Sequence, residues 1–217
     1  MDLNFLTEKT RIVFERLAKE KFLNDYTLVG GTALSIHLQH RLSEDLDFIY
    51  DGEILKTDSI KKFIDKTFTK NYKLIKQDNE HQLDFLINEV KVTFFTNSAV
   101  MIRFQVKTYS TKYKELNIAT IDIIAILKLN AIAHRNTIRD YYDLYFIAKN
   151  VLSLKKIFET SKDLLSNLSE ISYTESIIYV DDIEEESISD HLAAKENITK
   201  HEISDFFTKE VRRNFNK

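Results

Sequence analysis

Residues 28–49, LVGGTALSIHLQHRLSEDLDFI, decide how the rest of this 217-residue chain is read. Tyr26 to Val29 reads as a short apolar strand, Gly30 and Gly31 interrupt it, Thr32 to His40 is helical, and a second strand then carries Asp45 and Asp47. Two adjacent glycines in a chain with three Gly and no Pro are a local concentration. At a strand end they allow a turn with positive φ and a close approach to the main chain. The first turn of the following helix has free N–H groups that favour an anion, and the Thr32 hydroxyl can cap that helix or donate to a phosphate oxygen. Residues i and i+2 of a strand share a face, so Asp45 and Asp47 are expected side by side, with Leu46 and Phe48 turned into the core. Two such carboxylates repel unless a cation lies between them, and hard oxygen ligands suit Mg²⁺ with nucleotide phosphates. The competing readings are a structural turn, a solvated edge strand, or an ion pair to Arg41.

Composition bounds what this stretch belongs to. With 43% hydrophobic and 12% aromatic residues the chain can bury a sizeable core, as one domain or a domain with a helical extension. The absence of Cys excludes disulfides, thiolate chemistry and Cys-ligated zinc. No apolar run has the length of a membrane span or a secretory leader, so the expectation is a cytoplasmic protein with no membrane partner. The net charge of −3 conceals an asymmetry: residues 151–217 carry nine Lys+Arg against fourteen Asp+Glu, leaving the first 150 residues at +2. Seven lysines (Lys56, Lys61, Lys62, Lys66, Lys70, Lys73 and Lys76) lie between positions 56 and 76 against Asp58 and Asp65. They read either as a solvated helix face or as a nucleic-acid contact.

Upstream of the central stretch, Leu6 to Phe22 has the spacing of an amphipathic helix. Downstream, Thr57 to Lys70 is a second amphipathic helix. Tyr72 to Lys76, Gln82 to Ile87 and Glu89 to Phe95 read as strands, the last two forming a hairpin at Asn88-Glu89. Another short strand is expected near Arg103 to Thr108. Thr120 then suits an N-cap, with Asp122 in the first turn of a helix that is apolar nearly all round from Ile121 to Ala133. Lys128 is the exception inside it, and burying an ammonium is costly unless an anion meets it. Arg135 lies two helical turns on, on nearly the same face. The pair would suit a triphosphate at the Asp45/Asp47 site; alternatively Lys128 forms an internal ion pair with Asp140 or Asp143. The remainder, Leu152 to Asn216, reads as helices with an acidic link at Asp181 to Glu186.

Gly30, Gly31, Thr32, His40, Arg41, Ser43, Asp45 and Asp47 together form the pattern GG[ST] followed by HRxSxDxD. This resembles the first motif of the AbiEii/AbiGii-type toxins, which include the MenT toxins, in the minimal nucleotidyltransferase (polymerase-β-like) superfamily. The order Asp122, Lys128, Arg135, Arg139-Asp140, Asp143-Leu144 resembles the second block of the same family, and SIIYVDDIEEE is similar to a weaker motif. The resemblance implies an α/β (α+β) fold, a nucleotidyltransferase core with a small mixed sheet flanked by helices over 1–115, followed by a helical C-terminal region over 116–217 that completes the cleft. It implies Asp45, Asp47, Lys128 and Asp140 as catalytic residues, Asp45 and Asp47 as the Mg²⁺ ligands, and Gly30, Gly31, Thr32, Ser43 and Arg135 as nucleotide-binding. The implied reaction moves a nucleoside monophosphate from an NTP to an acceptor hydroxyl, with a tRNA 3′ end as the acceptor type, in a toxin–antitoxin or phage-defence pair with a cognate antitoxin. The superfamily commonly has a third acidic ligand on a later strand, and this chain has Thr93 there, with Asp84 or Glu89 nearby as substitutes. That departure motivates one alternative, a member that binds nucleotide or nucleic acid without chemistry. The other is an enzyme that nucleotidylates a protein side chain.

Overall fold

The computed structural model describes residues 3–69, 71–78, 80–165 and 169–215, so Lys70 of the basic run and Asn216 at the expected end of the last helix lie outside the described residues. The chain divides into two units, Met1–Thr120 and Ile121–Lys217.

The first unit is built on one mixed sheet of seven strands: β1 (Tyr26–Val29), β2 (Leu46–Tyr50), β3 (Tyr72–Asp78), β4 (Gln82–Ile87), β5 (Val90–Thr96), β6 (Ser110–Tyr113) and β7 (Leu116–Ala119). Their order across the sheet is β3-β4-β5-β2-β1-β7-β6. β2 runs antiparallel to β1 and parallel to β5, and β1 runs parallel to β7. Helices α1 (Glu8–Leu17), α2 (Gly30–Leu38) and α3 (Thr57–Phe68) complete the unit. Alternation along the strands gives the sheet two chemically different faces. One carries Tyr26, Phe48, Phe94 and Phe85, whose rings touch one another, and Phe22 stacks on both Tyr26 and Phe63 of α3. That aromatic layer fixes α3 to the core face. The opposite face carries Asp47, Thr93 and Asp84.

The turn at Asn88-Glu89 has positive φ at both residues, as a tight two-residue hairpin requires. Three expectations are corrected. The opening helix stops at Leu17, and a 3₁₀ turn at Lys21–Asp25 takes the place of its last residues. The segment around Arg103 to Thr108 is not a strand: a 3₁₀ turn spans Val106–Tyr109, and the strands are β6 and β7, a hairpin that turns at Lys114 with φ 54°. Asp51 explains the displacement, because its carboxylate accepts from the Val106 and Lys107 N–H groups and holds them in the turn. Finally, β2 begins at Leu46, so Asp45 precedes the strand, and α2 begins at Gly30 rather than Thr32.

The second unit is helical: α4 (Ile121–Ile132), α5 (Ile138–Asn150), α6 (Leu154–Leu164), α7 (Glu170–Ile178) and α8 (Lys200–Phe215). Its core includes Leu129, Leu144, Ile157, Phe158, Ile177 and Phe207, all buried. No helix among the described residues is long and apolar enough to cross a membrane.

Candidate active site

Val29 ends β1 opposite Asp47 of β2, so the chain turns into α2 beside that carboxylate. Gly30 makes the turn with φ +71°, and a Cβ on it would stand 2.7 Å from Asp47 Oδ2. The carboxylate is therefore laid against the main chain at the N-terminus of α2, where the helix dipole favours negative charge. At Gly31 the missing side chain makes room for the Arg41 guanidinium, and a Cβ would also come within 3.4 Å of Ser43 Oγ. The two glycines thus admit side chains of this chain to the backbone.

The loop that leads into β2 is tied down from three sides. Thr32 Oγ1 bonds Ser43 Oγ at 2.8 Å and donates to the Asp45 carbonyl. Ser43 exchanges backbone bonds with the N-terminal segment, its N–H donating to the Phe5 carbonyl and its own carbonyl accepting from Thr7 N. Thr10 Oγ1 donates to the Glu44 carbonyl at 2.8 Å. Thr32, His40, Arg41 and Ser43 are buried, whereas Asp45 and Asp47 are half-exposed. The motif's polar residues therefore brace a loop, and its two acids are only partly buried.

Register extends the site across the sheet. Asp47 pairs with Thr93 of β5, and Thr93 pairs with Asp84 of β4, so the three lie in one row on one face. Thr93 Oγ1 is shielded from solvent with no hydrogen-bond partner among the described residues, an arrangement that costs stability. Asp84 is buried and engaged, with Lys91 Nζ 3.3 Å from its Oδ2 and Gln82 Nε2 donating to its Oδ1 at 2.8 Å. Two strand spacings, about 10 Å, separate Asp84 from Asp47. One Mg²⁺ with oxygen ligands at about 2 Å cannot bridge that gap, which weighs against Asp84 as a shared third ligand. Glu89 lies at the hairpin turn and pairs with Lys9. Among the described residues no group of three or more acidic or His side chains is close enough to hold one ion.

In the second unit, Lys128 Nζ lies 2.7 Å from Asp140 Oδ1 and 2.6 Å from Asp143 Oδ2, and all three residues are buried. Arg135, on the segment between α4 and α5, donates from Nε to Asp140 Oδ2 at 2.8 Å, and Thr137 Oγ1 donates to the same oxygen at 2.6 Å. Of the two readings of Lys128, the geometry has the internal ion pair, made with both acids. Burial pushes the Asp140 carboxyl up, and the charges of Lys128 and Arg135 more than reverse that, holding it at about 2. Thr120 directly precedes α4, and its hydroxyl donates to the Tyr109 carbonyl.

Sequence reasoning placed Gly30, Gly31, Asp45 and Asp47 together; the structure sets Asp47 against Gly30 and ties the Asp45 carbonyl to Thr32. It did not foresee the Arg41 guanidinium against Gly31, nor Lys91, whose i, i+2 relation to Thr93 in VKVTFF was a readable signal of a shared face.

Residues 11–214 match the family described as Nucleotidyl transferase AbiEii toxin, Type IV TA system. The chain belongs to the AbiEii nucleotidyltransferase toxin family. Like that family, it is a nucleotidyltransferase. It is 30% identical over 211 residues to an uncharacterized protein, aq_aa25, of Aquifex aeolicus (strain VF5), covering 95% of this chain and 96% of that one. Among solved structures it is similar to a protein from H. pylori named provisionally as a nucleotidyltransferase, with a TM-score of 0.54 at 19% identity over 97% of this chain and 98% of the other. MenT4, a nucleotidyltransferase toxin from Mycobacterium tuberculosis H37Rv, aligns at a TM-score of 0.44 and 14% identity over 96% of this chain and 84% of its own. The likeness to the H. pylori structure concerns the fold alone.

Proposed function

We propose that this AbiEii protein transfers a nucleoside monophosphate from an NTP to the terminal hydroxyl of an RNA, with a tRNA 3′ end as the acceptor, as the growth-inhibiting partner of a toxin–antitoxin or phage-defence pair in the cytoplasm. The observation that carries the reading is the closeness of Asp47 to Gly30, which sets a partly buried carboxylate at a helix N-terminus two residues from a second carboxylate. Asp45 and Asp47 are hard, half-exposed oxygen donors on a braced segment, a donor set that fits Mg²⁺. When bound, the cation supplies charge neutralisation at the phosphoryl oxygens and orients the attacking oxygen.

The chain's own residues do the rest. The α2 N-terminus, with Gly30, Gly31 and Thr32 in its first turn, favours phosphate charge near Asp47, and Ser43 keeps that turn and the Asp45 main chain in one frame. Thr93 offers a neutral hydroxyl beside Asp47 where a third carboxylate is common in the superfamily. The resemblance assigns Lys128, Asp140 and Arg135 to the chemistry as well. Within the second unit, Asp140 and Asp143 hold the Lys128 ammonium in one buried position. The acceptor hydroxyl gives up its proton to water as its oxygen bonds to the α-phosphorus, the bond from that phosphorus to the bridging oxygen breaks, and pyrophosphate leaves.

Incubation with α-labelled NTPs, Mg²⁺ and either total tRNA or a protein lysate tests this. Label in RNA supports it, label in protein alone transfers the acceptor to a side chain, and label in neither favours a binding protein without chemistry, the reading that Thr93 motivates.

A further inference from the structure

The run of lysines from 56 to 76 does not form one surface. Lys61, Lys62 and Lys66 lie on α3, which the Phe63–Phe22–Tyr26 stack fixes to the core face of the sheet. Lys56 sits over the Tyr50 ring, 5.1 Å from its centroid. Lys73 and Lys76 are on β3, the edge strand beyond β4, where every residue from Lys73 to Asp78 is exposed. At i and i+3 they would point to opposite faces of a regular strand. The register shift between Leu74 and Lys76 prevents this: Lys73 pairs with Leu86 and Lys76 pairs with Asp84, so both share the face that carries Asp84, Thr93 and Asp47. Tyr72 confirms the assignment from the other side, because its ring packs on Phe85 of the core face. Bulges are common at sheet edges and beside active sites, where they re-aim a side chain, and this one turns Lys76 to the face that holds Asp47.

Lys91 belongs to the same face, two residues from Thr93 and held over Asp84. Two of the acids on this face, Asp84 and Asp78, already have partners. Asp84 is buried under Lys91 and Gln82, and Asp78 accepts from the N–H groups of Glu80 and His81 in the hairpin turn. The solvent side of the row therefore presents ammonium groups at Lys91, Lys76 and Lys73 around the exposed apolar Leu86 and Ile75. The row runs about 14 Å outward from Asp47, three strand spacings. At its inner end is the unpartnered, buried hydroxyl of Thr93.

We propose that this face is the path of a single-stranded RNA acceptor, its terminal hydroxyl beside Asp47 and its backbone phosphates at Lys91, Lys76 and Lys73. The proposal rests on the RNA-acceptor reading above. Phosphate contacts of this kind position a strand without reading its bases, so the path admits any unpaired 3′ end. The α3 lysines, on the core face of the sheet, take no part.

The test compares two triple variants, Lys73→Gln/Lys76→Gln/Lys91→Gln and Lys61→Gln/Lys62→Gln/Lys66→Gln, with the wild type. Binding of a labelled unstructured oligoribonucleotide is followed by anisotropy in EDTA without NTP, across a salt series. All six lysines are exposed or half-buried, and because Lys91→Gln removes the cation over buried Asp84, circular dichroism and the thermal midpoint check that each variant is folded. The expected result is about a tenfold or greater loss of affinity and a salt slope shallower by about 2 for the first variant, with the second binding as wild type. If wild type labels RNA but the first triple binds normally, or the second loses as much, the path is wrong and the acceptor reading stands. If label enters only protein, the acceptor reading fails and takes the path with it. A wild-type chain that does not bind the oligonucleotide at low salt also overturns the path.

Discussion

At the scale of single residues, the site depends on two glycines whose missing side chains are filled by other side chains. Gly30→Ala would put a methyl 2.7 Å from Asp47 Oδ2 at a backbone φ of +71°. We expect it to cost about 1–2 kcal/mol in urea unfolding and to lower nucleotidyl transfer at least about tenfold, since the strain falls on the carboxylate. Thr93 makes the reverse prediction. Thr93→Val removes a buried, unpartnered hydroxyl and keeps the shape, so the protein should be as stable as wild type or more so by about 1 kcal/mol. Under the acceptor path proposed above, transfer should nonetheless fall, since Thr93 pairs with Asp47 across the strands. The importance of Gly30 and Asp47 was legible in the sequence because each is an unusual residue for its place: adjacent glycines at a strand end, and acids spaced by two. Arg41 was visible as part of the motif, but its packing against Gly31 was not, since no periodicity states where a loop side chain folds back. Thr32 was legible as a helix-start hydroxyl. Its partners, Ser43 and the Asp45 carbonyl, come from the chain eleven and thirteen residues on.

Elements show a similar division. The β4–β5 hairpin and the apolar α4 were readable from alternation and from a helix that is hydrophobic all round. Strands β6 and β7 were not, because β6 has two exposed lysyl or threonyl positions and no pattern distinct from a loop, β7 is only four residues long, and Asp51 sets the preceding turn from 55 residues away. On α4, Lys128 announced a buried charge, and its partners turned out to be both acids of α5. Lys128→Met leaves Asp140 and Asp143 buried without that cation and should cost about 3–5 kcal/mol, read by urea denaturation. The same network fixes an acid limit. The Asp140 carboxyl titrates at about 2 in the folded chain, against an ordinary value of 3.8, so its contribution is fully present above about pH 4 and is lost as pH falls towards 2. It amounts to about 2 kcal/mol. Asp140→Asn should flatten the stability profile in that window and lower stability at neutral pH.

For the whole molecule, the sequence conveyed fold class and family through two blocks of motif, and the family match over residues 11–214 agrees with both. Charge was the property least legible at this scale. A run of seven lysines reads as one patch in one dimension, yet the aromatic layer under α3 and the bulge in β3 divide the described ones between the two faces of a sheet. Only three-dimensional register says which lysines can share a ligand with Asp47. The central claim is that the carboxylates beside Gly30 perform nucleotidyl transfer, and Asp47→Asn tests it most directly. The wild-type chain and the variant are each incubated with α-labelled NTPs, Mg²⁺ and total tRNA, and incorporated label is counted after the two proteins have been matched by circular dichroism and thermal midpoint. The account predicts labelled RNA with the wild type and at least about a hundredfold less with the folded variant. A variant that labels RNA as well as wild type contradicts it.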